Sequence, residues 1–241
     1  MNISWQNVKS IYTREINNYF NTAIGYVFLL IFSLFINFLF LYLPNFWDVN
    51  SISMENFFSW MRIVYLFLIP AITMRLWSEE KKTGTIEVLL TLPYQTLETI
   101  LGKYLSALSF LGFALGSTIF IPIFLGTIGS PDWMLIAGGY IGLILLGASY
   151  IALGLLISWY TQDQIIALLI TIAVCFLFFI MGYPPFLQFM GFLSPIISFI
   201  SVSWHFDSLA RGMLDTRDII FFISFILLFL YLNYHSIENK K

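Results

Sequence analysis

Charge is scarce in this chain, and that scarcity is the first constraint on what the protein can be. Only 10% of its 241 residues are Asp, Glu, Lys or Arg, where a soluble domain carries about a quarter. A surface so poor in charge cannot be covered with polar groups in water; lipid is the solvent this composition fits. Cysteine is reduced to Cys175, set in an apolar run, which excludes a disulfide framework and a cysteine metal site. The net charge of −2 provides no basic stripe to neutralise phosphates, so nucleic acid is excluded as a partner.

Catalytic motifs are missing too. A phosphate-binding loop needs a glycine five residues before a Gly-Lys pair and a hydroxyl after it. The only such pair, Gly102-Lys103, is followed by Tyr104, and Leu97 stands where the first glycine belongs. Histidine occurs twice, as His205 and His235, both at the ends of apolar runs, and no Asp or Glu lies in the middle of one. Intramembrane proteolysis, haem held between helices and an ion-driven carrier therefore lack the residues they require. A histidine at the interface is expected to be solvated. The chain is expected to bind no cofactor or metal and to catalyse nothing itself.

What is present is apolar: 59% of residues are hydrophobic and 19% aromatic. A helix needs about 20 apolar residues to cross a bilayer. The charge-free stretch Ile16 to Trp47 gives a first span at about 23–43, closed by Pro44 and Asn45. It is too long for a cleavable signal, and residues 1–22 before it are amphipathic, so it is read as retained. Arg62 and Arg75 leave only a short apolar stretch between them, but arginine stems can snorkel outward. With Phe57, Phe58, Trp60 and Trp77 as aromatic anchors, a second span is placed at 57–77, with a kink at Pro70. Two more charge-free runs flank Asp132 and give spans at 99–126 and 134–158. Gln164 to Phe206 is too long for one helix, and Gly182, Pro184, Pro185 and Pro195 mark its breaks. It is read as a span at 164–182 and an apolar outer segment, 183–216, before a last span at 218–235. The expected fold is all-α, with six transmembrane helices in a single domain. Gly112-x-x-x-Gly116 and Gly138-x-x-x-Gly142 permit close helix contacts, leaving open whether these are real and whether they are internal.

Lysine and arginine placement sets orientation. With both termini inside, the inner side receives Lys9, Arg14, Arg75, Lys81, Lys82, Lys103, Lys240 and Lys241, and the outer side only Arg62, Arg211 and Arg217. Both termini are thus expected in the cytoplasm. Two inner features stand out. Trp5, Val8, Ile11, Tyr12, Ile16, Tyr19 and Phe20 recur at helical spacing opposite polar positions, predicting an interfacial amphipathic helix over 2–21. The inner loop, 78–97, begins Ser78-Glu-Glu-Lys-Lys-Thr-Gly84. Gly84 breaks the chain, Thr85 and Glu87 suit a helix N-terminus, and Ile86, Leu89 and Leu90 form one apolar face ended by Pro93. That face fits a partner groove or the protein's own spans equally well.

The segments Ile69-Pro-Ala-Ile-Thr-Met-Arg75, Ser78-Glu-Glu-Lys81, Gly84-Thr-Ile-Glu-Val-Leu-Leu-Thr-Leu-Pro93 and Leu101-Gly-Lys103 together resemble the permeases of ABC-2 type exporters, of the type V exporter-like architecture. Phe206-Asp-Ser-Leu-Ala-Arg-Gly-Met-Leu-Asp-Thr-Arg-Asp218, followed by Phe229-Leu-Tyr-Leu232, looks like the gliding-motility (GldF-type) branch. The resemblance implies a multi-pass protein of the bacterial cytoplasmic membrane that pairs with itself or a second permease. In the family that second permease often carries a large periplasmic domain. It further implies two copies of a separate ATPase, which would bind the ATP and Mg, and a coupling helix between spans two and three. By position, ATPase contact falls to Glu79, Glu80, Lys81, Lys82, Gly84, Thr85, Glu87 and Leu90, with Arg75 as the inner anchor of span two. Arg211, Asp215, Arg217 and Asp218 are candidates for an outer salt-bridged gate, or for a plain charge cluster. Membrane lipids are the remaining expected partner.

A second reading, an assembly or anchoring protein without transport of its own, has the same helices and differs in not needing ATP hydrolysis. A permease for haem or copper maturation would want an outward cluster of His, Met or Cys, and Met181 and Met190 are too sparse for one. The cargo is not encoded in any distinctive polar lining.

Overall fold

The computed structural model describes residues 4–21, 23–42, 54–91 and 94–239, and these are helical, with no strand among them. Pro44, Asn45, Pro93, Lys240, Lys241 and the side chain of Leu90 lie outside the described residues.

Helix α1 (Trp5–Phe20) leads into α2 (Ala23–Tyr42). Helix α3 (Glu55–Thr73) runs on as α4 (Arg75–Lys82), and α5 (Thr85–Thr91) follows across a tight turn. Helix α6 (Thr96–Gly116) continues into α7 (Phe120–Ile128), and α8 (Trp133–Tyr160) and α9 (Gln164–Ile180) come next. Short helices α10 (Pro184–Met190), α11 (Ser194–Ile200) and α12 (Val202–Ala210) precede the last long helix, α13 (Thr216–Glu238). By length and composition, four helical stretches can cross a membrane: Glu55–Lys82, Thr96–Ile128, Trp133–Tyr160 and Thr216–Glu238. Two bent pairs, α1 with α2 at 69° and α9 with the segment Pro184–Ile200 at 72°, raise the number to as many as six if each counts as one span.

Three aspartates sit where long helices begin. Asp132 caps α8 by accepting from Met134 N (2.9 Å) and Leu135 N (3.2 Å). Asp163 caps α9 through Ile165 N (3.0 Å), and Asp215 caps α13 through Arg217 N (2.9 Å). Each carboxylate satisfies amides that no helical carbonyl can reach and meets the positive end of the helix dipole.

Helix α8 is the spine, packing on α3, α4, α6, α9, α12 and α13. Glycine makes this possible. A Cβ at Gly139 would fall 2.2 Å from the Phe58 ring, one at Gly147 2.2 Å from Leu111, and one at Gly154 2.2 Å from Thr73 Oγ1. Gly138 and Gly142 are pressed against Gly212 and Leu209, so this small-residue pair serves an internal contact, with α12. Gly112 and Gly116 have no atom within 4 Å of where a Cβ would stand and face outward. The lipid-facing character of the exterior is plain in α2, where Val27, Leu30, Ile31, Leu34 and Phe35 are all exposed.

The second predicted span is longer than the sequence reading placed it. Residues Ser78–Lys82, assigned to the inner loop, are the last turns of α4. The chain passes through Pro70 within α3, and the irregular point is Met74. There Ser158 of α8 inserts its hydroxyl, accepting from Trp77 N (3.0 Å) and Ser78 N (3.2 Å) and donating to Met74 O (3.1 Å). A side chain inserted into the helical ladder is a recognised cause of such breaks.

Two glycine substitutions test this packing. Gly154→Val, which places methyl groups against Thr73, is expected to destabilise by about 1–3 kcal/mol and lower the melting temperature in detergent. Gly112→Val, on an open face, is expected to leave it unchanged. Equal losses would contradict the arrangement of α8.

Candidate functional site

The candidate site is the end of the bundle where α1, α4, the start of α6 and the end of α8 converge. Helix α1 lies along α6, which covers its apolar stripe from Val8 onward, while Trp5 stays exposed. Val8, Ile11 and Tyr19 are buried. Gly102 lets α1 in, since a Cβ there would lie 2.8 Å from Ile11 Cβ. Glu98 fastens the beginnings of both helices, accepting from Ser4 N (2.7 Å), Asn7 Nδ2 (2.8 Å) and Gln95 N (3.0 Å). At the other end Tyr19 stacks on Phe110 (4.6 Å), donates to Ile72 O (3.0 Å), and carries the Arg75 guanidinium 3.9 Å from its ring centroid.

Between these fastenings lies a four-charge network. Lys103 is 1% exposed, and its ammonium reaches Leu76 O (2.6 Å), Glu15 Oε1 (2.9 Å) and Glu80 Oε2 (3.0 Å). Two of these contacts are hydrogen bonds, to Leu76 O and Glu15, and the third is an ion pair with Glu80, over the face of Trp77 at 4.9 Å. Arg14 closes the ring from the solvent side, 2.7 Å from Glu15 and 2.8 Å from Glu80. Two positive and two negative groups from three helices cancel. Burial pushes the Glu15 carboxyl up, but Lys103 and Arg14 together more than offset this and hold it below the usual carboxylate range.

Sequence reasoning singled out neither Glu15 nor Lys103 as a site residue. The available signal was Glu15 itself, a carboxylate four residues from both Ile11 and Tyr19 on an otherwise apolar stripe, where a charge demands a partner.

The residues expected to couple the chain to an ATPase, with Arg75 as their anchor, divide in two. Arg75 lies on Tyr19, Glu80 belongs to the network, and Lys81 donates to Trp159 O with its ammonium 4.1 Å from the Trp159 ring. These three bind the protein to itself. Glu79, Lys82, Gly84, Thr85 and Glu87 are exposed. They ring a projecting tip that turns at Gly84, whose φ of 74° favours a residue without a side chain. Leu89 is buried and Ile86 packs against the core, so that part of the apolar face of α5 is spent within the protein.

At the opposite end, no ion pair joins Arg211, Asp215, Arg217 and Asp218 to one another among the described residues. Asp218 pairs with His205 (2.7 Å), Asp215 caps α13, and Arg211 Nε donates to Asp207 O (3.0 Å). His205, expected to be solvated, is buried and stacked on Phe221 at 4.0 Å. Arg62, expected to snorkel, turns inward. Its guanidinium lies near the rings of Phe179 and Phe206 and 2.5 Å from Asp207, because α12 brings a carboxylate within reach. No group of three or more His, Cys, Asp or Glu among the described residues is placed to hold a metal ion.

Lys103→Met is expected to destabilise the protein by about 3–5 kcal/mol, because it leaves two carboxylates without their buried cation. Adding Glu15→Gln and Glu80→Gln to it should recover part of the loss in a thermal-unfolding series. Strict additivity of the three changes would contradict the network.

A search of curated proteins finds no match. The family model described as "ABC-2 family transporter protein" matches residues 7–236, a stretch that runs from α1 to the last turn of α13. With its several membrane-crossing helices, the chain is a multi-pass membrane protein and belongs to the ABC-2 transporter family.

Proposed function

We propose that the chain is the permease subunit of an ATP-driven exporter of the bacterial cytoplasmic membrane, energised by a separate ATPase subunit that binds the ATP and Mg. The observation that carries this reading is the exposed tip around Gly84. It is mounted on α4, and α4 is tied to α8 by Ser158 and Trp159 and to α1 and α6 through Glu80. A push on such a tip is delivered to several helices at once instead of being absorbed in a loose loop. The excess of Lys and Arg on the same side supports placing this end and both termini in the cytoplasm.

In this reading Glu79, Lys82, Thr85 and Glu87 meet the ATPase, while Arg75, Glu80 and Lys81 hold the tip to the spans. The second half of the transporter is another copy of this chain or a paralogous permease. Arg211, Asp215, Arg217 and Asp218 stand at the outer end, where Asp218 with His205 and Asp207 with Arg62 are the pairs that a gate would open. The segment Phe206–Asp218 favours the gliding-motility branch within the family.

The chain, purified in mild detergent from its native membrane, should bring down an ATPase at near-equal stoichiometry. The triple reversal Glu79→Lys, Lys82→Glu, Glu87→Lys should lower that recovery by about tenfold or more, as loss of rim and core contacts at an interface does, without changing the melting temperature. Recovery of no nucleotide-binding chain, or full recovery with the reversed tip, would remove the assignment.

A further inference from the structure

A groove of about 1020 Å³ opens beside the first four turns of α13, between that helix and the segment formed by α11 and α12. One end of it is polar. His205, Asp215, Arg217 and Asp218 line that end, and the rest is walled by Phe178, Phe225, Leu228 and Phe229. From Asp218 to Phe229 the groove follows α13 for about 16 Å, starting at the helix terminus and running into its apolar middle.

Asp218 is 7% exposed, and only one of its oxygens is engaged. Its Oδ1 lies 2.7 Å from His205 Nδ1, and His205 Nε2 lies 3.0 Å from Phe199 O. Both ring nitrogens therefore face oxygens, and the pair is either imidazolium with carboxylate or imidazole with carboxylic acid. Either way it is net neutral. Asp218 Oδ2 is buried without a hydrogen-bond partner among the described residues, an arrangement that costs free energy unless a donor meets it. Arg217, exposed at the same end, makes no ion pair among the described residues, while Asp215 spends an oxygen on the α13 amide. The fixed charges of the polar end sum to zero.

We infer that this groove is a binding site for a membrane phospholipid with a primary ammonium headgroup, phosphatidylethanolamine in particular. The ammonium supplies the donor that Asp218 Oδ2 lacks, the phosphate sits at Arg217, and the acyl chains lie along Phe225, Leu228 and Phe229. A zwitterion matches an electroneutral polar end. A choline headgroup has no N–H to give, and an anionic lipid leaves the acidic residues of this end without a counter-charge. The inference is independent of the ATPase reading and requires only that the protein sit in a bilayer.

Trp204 lines the groove and is half exposed, which provides a probe. The full chain is reconstituted in vesicles holding increasing fractions of brominated phosphatidylethanolamine, phosphatidylglycerol or phosphatidylcholine. The Trp204 contribution is taken as the difference from Trp204→Phe. The ethanolamine lipid is expected to quench Trp204 at about fivefold lower mole fraction than the other two, the factor expected of one additional hydrogen bond. Asp218→Asn and Arg217→Gln should each narrow that preference. Equal quenching by all three lipids in the unmodified chain overturns the site, as does a preference that survives both substitutions. Absence of quenching by any lipid overturns it too, and would mean that a second copy of the chain or another protein covers the groove.

Discussion

The buried ammonium of Lys103 is the interaction on which the rest of the charged end depends. It is held by a carbonyl of α4 and by carboxylates of α1 and α4, and it belongs to α6. Removing charges from water is expensive, and a buried pair is rarely a net source of stability. Its use here is positional. The ammonium accepts only an arrangement in which α1, α4 and α6 meet, and Arg14, 43% exposed on its side chain, neutralises the surplus carboxylate without further burial. A sliding of any one helix would strand a charge. Such a node favours motion of the three helices as one body.

The glycine-lined α8 is the complement of that node. It contributes no charge between Asp132 and Asp163, and acts through close approach, with Gly139, Gly147 and Gly154 admitting α3 and α6. Its last turn then supplies Ser158 to the break at Met74 and Trp159 to Lys81. Contact from α4, which bears the tip at Gly84, to the far end of the bundle thus runs through hydrogen bonds at one end and through van der Waals packing along the rest. At that far end Gly138 and Gly142 meet α12, which carries Asp207 and His205.

Much of the helical fold was legible because the signals are local. Charge-free runs of membrane length, and the breaks at Pro184 and Pro195, which fall at the starts of α10 and α11, act within a few residues. The end of α4 was misplaced because Glu79 to Lys82 read as part of an inner loop. Whether such a stretch stays helical depends on Lys103, Arg14 and Trp159, which lie far away in sequence. The same reason hid the site. Arg62 and His205 each looked like a lone interfacial residue, and their partners, Asp207 and Asp218, are placed by the α11–α12 segment. Of the candidate coupling residues, composition could not separate Glu79, which faces out, from Glu80, which faces in, since one helical step of 100° decides it.

The most direct test of the four-charge network is the accessibility of its lysine. The chain in mild detergent is treated with a water-soluble amine-acylating reagent, and modification at each lysine is followed by mass spectrometry. Lys9 and Lys82, both exposed, should react readily, and Lys103 should remain unmodified until the protein is denatured. Modification of Lys103 at the rate of Lys82 would show that α1, α4 and α6 are not joined as described, and the account of the charged end would fall.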